Sequence, residues 1–230
     1  ITGGAGIDTI TGGAGNDIID GGAGNDIITT SAGNDSLTGG AGNDAFITTT
    51  TLDSLDTLAA GDGTDTATMS AGTIDLDFTN VTGLEAITVG TTGTQTLGAL
   101  AQAAGVTTVT GGQFTQTIAA SAYTVALTVD LTVSSDDDDD NITTGSGDDI
   151  LIFDGSNGLA DGDSITTGTG TDTIQLKNTT TTDIVAVADM DDISGVLKFE
   201  STDVDGAATD TEEDISLTFS TISEGTIQTI

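Results

Sequence analysis

Between residues 3 and 47 a large apolar side chain returns at every ninth position, as Ile10, Ile19, Ile28, Leu37 and Phe46. The residues between are glycine, alanine, threonine and the Asn/Asp pair. A period of nine suits neither a helical face nor a long alternating strand. It suits a strand of about three residues closed by a turn of about six. The five units read GGAGIDTIT, GGAGNDIID, GGAGNDIIT, TSAGNDSLT and GGAGNDAFI, with no insertion between them. None has the apolar surface to fold alone, so the pattern predicts a stack in which each unit buries its position-eight residue against its neighbours.

Looser copies follow. Residues 135–152 read SDDDDDNIT and TGSGDDILI, and residues 158–175 read GLADGDSIT and TGTGTDTIQ, with Ile142, Leu151, Ile165 and Ile174 in the apolar slot. A partial copy, AGDGTDTAT, lies at 60–68. From 81 to 133 the chain turns to Thr, Val, Ala and Gly, with TQTL at 94–97 returning as TQTI at 115–118. These runs predict longer rungs of a solenoid, although GALAQAAG at 98–105 also fits a short helix. Beyond 176, weakly alternating runs such as ISLTF at 215–219 predict strands, and DMDD at 189–192 and DTEED at 210–214 are acidic clusters. The expected organisation is 1–50 stacked nonapeptides, 51–134 Thr/Ala-rich solenoid, 135–176 second acidic repeat block and 177–230 terminal β segment.

Charge changes the picture most. Against 37 acidic residues stand two basic ones, Lys177 and Lys198, for a formal charge of -35. Compaction at that charge requires multivalent cations or high salt. Nucleic acid and anionic membranes are excluded as direct partners, since both need clustered Lys and Arg, and no apolar run predicts membrane insertion. The absence of cysteine and histidine removes disulfides, thiolate and imidazole metal sites and the usual general base, which points away from an enzyme. Paired carboxylates such as Asp191 and Asp192 could suggest a glycosidase, but one tyrosine and no tryptophan leave little to stack a sugar. Zero prolines and 33 glycines fit a chain that turns often while keeping its backbone donors.

The turn itself suggests its ligand. Glycines at positions one, two and four, among them Gly4, Gly6, Gly13, Gly15, Gly22, Gly24, Gly40 and Gly42, allow a tight turn that gathers carbonyl oxygens. At position six come Asp8, Asp17, Asp26, Asp35 and Asp44, and in the later copies Asp140, Asp149, Asp163 and Asp172. Oxygen-only donors of mixed carbonyl and carboxylate type select a hard cation, Ca²⁺ above all. With two units per coil, Asp8, Asp26 and Asp44 line one edge and Asp17 and Asp35 the other.

These units resemble the repeats-in-toxin family, whose hallmark is GGxGxDxUx with U large and apolar. The resemblance implies an all-β fold, a right-handed parallel β-roll with Ca²⁺ in its turns, and export by a bacterial type I system. Thr30, Ser31 and Ile7 depart from the hallmark. The Thr/Ala-rich remainder is similar to lattice regions of bacterial surface-layer proteins. The expected function is a self-assembling structural protein of the bacterial cell surface, a surface-layer or filament subunit folded by calcium. Its partner would be itself, with a cell-surface polysaccharide a candidate through regions outside this chain. Alternatives are the secretion module of a larger exported enzyme or toxin, an adhesin stalk, or an ice binder suggested by TTTT at 48–51 and 179–182.

Overall fold

The computed structural model describes residues 1–30, 32–48, 52, 54–69, 75–89, 93–112, 115–132, 140–154, 163–178, 193–194 and 197–203, with backbone alone at 75, 76, 93, 154, 176–178 and from 193 onward. They fall into two compact units, residues 1–110 and 111–230. Expectations for 49–51, 136–139, 158–162, 179–182, 189–192 and 210–219 lie outside the described residues.

The first unit is a coil of short parallel strands forming two walls. One wall runs β1 (Thr2–Ala5), β3 (Ile18–Ala23), β5 (Ser36–Ala41), β7 (Thr57–Asp62) and β9 (Val81–Thr82). The other runs β2 (Thr9–Thr11), β4 (Ile27–Thr30), β6 (Ala45–Thr48), β8 (Thr66–Met69), β10 (Ala86–Val89) and β12 (Thr108–Thr110). Gly4 faces Gly22 and Gly22 faces Gly40, while Ile10 faces Ile28 and Ile28 faces Phe46. Two nonapeptides therefore make one coil, and equivalent side chains stack. Position eight points inward throughout: Ile19, Ile28, Leu37 and Phe46 are buried. The stack expected from the period, and the parallel β-roll implied by the resemblance, is the fold of this unit.

After residue 47 the phase survives an insertion. Thr48, Thr49 and Thr50 intervene, and TLDSLDTLA then carries the same register, so that Leu37 faces Leu58 and Phe46 faces Ala67. The segment 98–105, predicted first as a rung with a helix as the alternative, is helical. It forms α1 (Ala99–Ala104), which follows strand β11 (Gly93–Thr96) and is flanked by Gly98 and by Gly105 at φ 113, the left-handed residue that ends a helix. Ala101 and Ala104 are buried.

The second unit repeats the two-wall plan, with β13 (Gln116–Ala119), β15 (Asn141–Thr143), β17 (Ser164–Thr166) and β19 (Ile193–Ser194) in one wall and β14 (Thr128–Leu131), β16 (Ile150–Asp154), β18 (Asp172–Asn178) and β20 (Leu197–Asp203) in the other. Val129, Leu151 and Ile174 stack in register and are buried, as are Ile118, Ile142 and Ile165. β19 and β20 are strands of the expected terminal segment.

Candidate metal centre

Every position-six aspartate of the tandem donates its backbone N–H to a carboxylate of the coil after it. The Asp8 N–H donates to Asp26 Oδ1 at 2.8 Å, Asp17 N–H to Asp35 Oδ1 at 2.9 Å and Asp26 N–H to Asp44 Oδ1 at 2.8 Å, each across 18 residues. Asp8, Asp26 and Asp44 thus share one edge, and Asp17 and Asp35 the other. Both series run on beyond the tandem. Asp35 N–H donates to Asp56 Oδ1 and Asp44 N–H to Asp65 Oδ1 across 21 residues, and Asp65 N–H donates to Glu85 Oε2 at 2.8 Å. Asp56 and Glu85 are absent from the sequence-derived set. The signal for Asp56 was the TLDSLDTLA frame after the three-residue insertion; Glu85, a glutamate with an incomplete glycine turn, gave none beyond its place before AITV.

A second ladder runs in the opposite sense. Position-five Asn16 accepts the N–H of Asn34 at 2.9 Å, Asn25 that of Asn43 at 2.9 Å and Asn43 that of Thr64 at 3.0 Å. Asparagine recurs at this position because its short side chain reaches the next turn's backbone. Ile7, which cannot do so, is exposed.

Asp26, Asp35, Asp44 and Asp65 each spend one oxygen on the ladder. The Oδ2 atoms of Asp8, Asp17, Asp26, Asp44 and Asp65 are buried and have no hydrogen-bond partner. Asp26, Asp44 and Asp65 are themselves at most 2% exposed. A buried anionic oxygen without donor or counter-charge is strongly disfavoured. Position-one glycine makes its space: a Cβ on Gly3, Gly12 or Gly21 would lie 2.7, 2.6 or 2.5 Å from Oδ2 of Asp8, Asp17 or Asp26. In the fourth unit the buried Thr30 occupies that place. Gly4, Gly6, Gly13, Gly15, Gly22, Gly24, Gly40 and Gly42 all hold φ between 95 and 129.

Among the described residues no three acidic side chains converge as a metal group. An ion here would be held by at most two carboxylates, with backbone carbonyls completing its shell. That donor set, hard, anionic and caged by glycine, fits Ca²⁺, which accepts carbonyl and carboxylate oxygens in flexible number. Bound calcium would supply the positive charge that the Oδ2 atoms lack.

A model of the RTX calcium-binding nonapeptide repeat, spanning four copies, matches residues 1–28 and 21–48. The chain carries RTX calcium-binding repeats. No curated protein and no solved structure matches it. The RTX match ends where the insertion begins, although the ladder does not. In the second unit Asp140 N–H donates to Asp163 Oδ1 and Asp149 N–H to Asp172 Oδ1, both across 23 residues. All four aspartates are buried. Asp148 takes the asparagine role there, accepting the Thr171 N–H at 2.8 Å.

Burial pushes the carboxyls of Asp35, Asp44 and Asp65 above the ordinary range; the ladder N–H bond opposes the shift and neighbouring carboxylates reinforce it. A folded carboxyl with a raised pKa favours folding when protonated, and that contribution disappears as pH rises through the raised value. Metal-free protein is therefore expected to gain thermal stability as pH falls from neutrality toward about 4, the opposite of ordinary acid denaturation. Melting curves of calcium-stripped protein across that range test this; a melting temperature that falls steadily with acidification would contradict it.

Proposed function

We propose that the chain is a calcium-folded structural protein of the bacterial cell exterior, non-catalytic, exported by a type I system and assembling with copies of itself into a surface layer or filament. The observation that carries this reading is the column of buried Oδ2 atoms with no partner in the protein. A chain built this way stays loose where calcium is scarce, which suits export, and tightens where it is abundant. Among the described residues no helix is long and apolar enough to cross a membrane.

Charge supports the choice of a docking face. On the outer side of the wall β2 to β12, Thr11, Thr29, Ile47, Thr68, Thr88 and Thr110 form one row in register. The parallel row is Thr9, Ile27, Ala45, Thr66, Ala86 and Thr108. Neither row contains a charge in a chain of net charge -35. The outer side of the opposite wall carries Asp20, exposed, between Thr2 and Thr38. Two like-charged molecules approach with least repulsion through the uncharged face. Negative-stain microscopy in millimolar calcium should show regular sheets or filaments, abolished by Thr29→Glu with Thr68→Glu while circular dichroism stays native. Wild-type protein that remains monomeric in calcium would refute the assembly.

A further inference from the structure

Four asparagines sit in a pattern that the nonapeptide does not require. Of the eight in the chain, Asn34, Asn80, Asn141 and Asn178 are followed two residues on by serine or threonine, and no proline intervenes anywhere. Asn-x-Ser/Thr is the acceptor pattern for transfer of a sugar to the asparagine side chain. Within the tandem only the fourth unit has it, because Ser36 stands where the other asparagine-bearing units carry Ile18, Ile27 and Ala45. The fold presents three of the four alike. Asn34, Asn80 and Asn141 are exposed, while the residues that follow them, Asp35, Val81 and Ile142, are buried. In an extended chain residues i and i+2 share a face. Turning the middle residue inward therefore sets amide and hydroxyl outward side by side: Ser36 and Thr82 are exposed and Thr143 is half-buried. Asn178 is the last residue of β18, and the hydroxyl that would complete its pattern lies outside the described residues.

We propose that Asn34, Asn80 and Asn141 are acceptors of N-linked hexose. The donor is a nucleotide-activated hexose. Asparagine Nδ2 attacks its anomeric carbon, and a C–N bond forms as the C–O bond to the diphosphate breaks. The nucleoside diphosphate leaves with the bonding pair, and Nδ2 gives up one proton to a base of the transferase. The placement fits the docking face proposed above. Its strands, β2, β4, β6, β8, β10 and β12, contain no asparagine. The Leu58 N–H donates to the Asn80 carbonyl at 3.0 Å, which seats Asn80 on the opposite wall, and Asn34 lies in the turn that enters β5 of that same wall. A bulky, hydrated sugar there leaves the docking face bare. Asn80 differs in one respect: its Nδ2 donates to the Ser54 carbonyl at 2.9 Å, so that bond must open, or the sugar be added before the roll closes.

The chain supplies its own comparison. Asn16, Asn25 and Asn43 are exposed at the same turn position as Asn34 but have no hydroxyl two residues on. The experiment is mass mapping of the protein recovered from its own host, cut with an aspartate-specific endopeptidase because two lysines leave trypsin few sites. The peptides carrying Asn34, Asn80 and Asn141 should be heavier by one or more hexoses, and those carrying Asn16, Asn25 and Asn43 should not. Ser36→Ala, Thr82→Ala and Thr143→Ala keep each asparagine and add no bulk, and each should lose the hexose at its own site. A hexose-free peptide at any one of the three strikes that site, and at all three it overturns the proposal. Equal labelling of Asn16, Asn25 and Asn43, or labelling that survives the hydroxyl changes, would overturn the acceptor pattern. Assembly in calcium enters none of these readings, so a monomeric protein and an unglycosylated one are separate results.

Discussion

Chelation of calcium is expected to abolish most of the β-sheet signal in far-ultraviolet circular dichroism at neutral pH and low salt, and restoring calcium to recover it. A site present only in the folded chain adds about 2.7 kcal/mol at a hundredfold excess of free ion over Kd. Two such sites contribute about 5 kcal/mol, comparable with the whole net stability of a modest domain, about 5–15 kcal/mol. The unpartnered Oδ2 atoms and the net charge of -35 push the same way once the ion is gone. An identical spectrum and melting temperature in excess EGTA and in calcium buffer would refute the central role given to the ion.

The second large effect should come from a single methyl group. Gly40 sits at φ 115, and a Cβ there would land on the carbonyl of Gly22, backbone against backbone with no flexible side chain to yield. Gly40→Ala therefore combines backbone strain of about 1–2 kcal/mol with overpacking of about 1–3 kcal/mol, and it forces two coils apart where their turns stack. The variant should unfold at markedly lower temperature in saturating calcium and require more calcium to fold. Ala41→Ser, at the neighbouring exposed position, should lie within about 0.5 kcal/mol of wild type. Equal melting temperatures for Gly40→Ala and Ala41→Ser would show that the coils are not packed as described.

The roll was legible in the sequence because its turns have a fixed length. With glycine at positions one, two and four there is one short way round, so Asp8, Asp26 and Asp44 could be placed on one edge from spacing alone. Legibility faded where turn length became free. Asp56 follows an insertion of Thr48 to Thr50, and coil steps then vary through 20, 21, 22 and 23 residues. Strands and aspartate turns still repeat from coil to coil in these regions, but the length of chain between them does not, and spacing arguments lose their ruler. α1 was ambiguous for a related reason: GALAQAAG is too short for helical periodicity to separate it from a buried strand. The asparagine ladder was missed because position five looked like ordinary turn chemistry, and the role of Gly3, Gly12 and Gly21 in making room for Oδ2 emerged only with the carboxylates in place.

The direction of the aspartate ladder gives the molecule a sense of construction. Asp26 offers its amide to a carboxylate that arrives 18 residues later, and Asp44 to one that arrives 21 later. Each winding is thus latched by its successor and cannot latch itself. A chain that winds from its N-terminus would always carry one unfinished turn at its growing end, ready to be closed by the next aspartate.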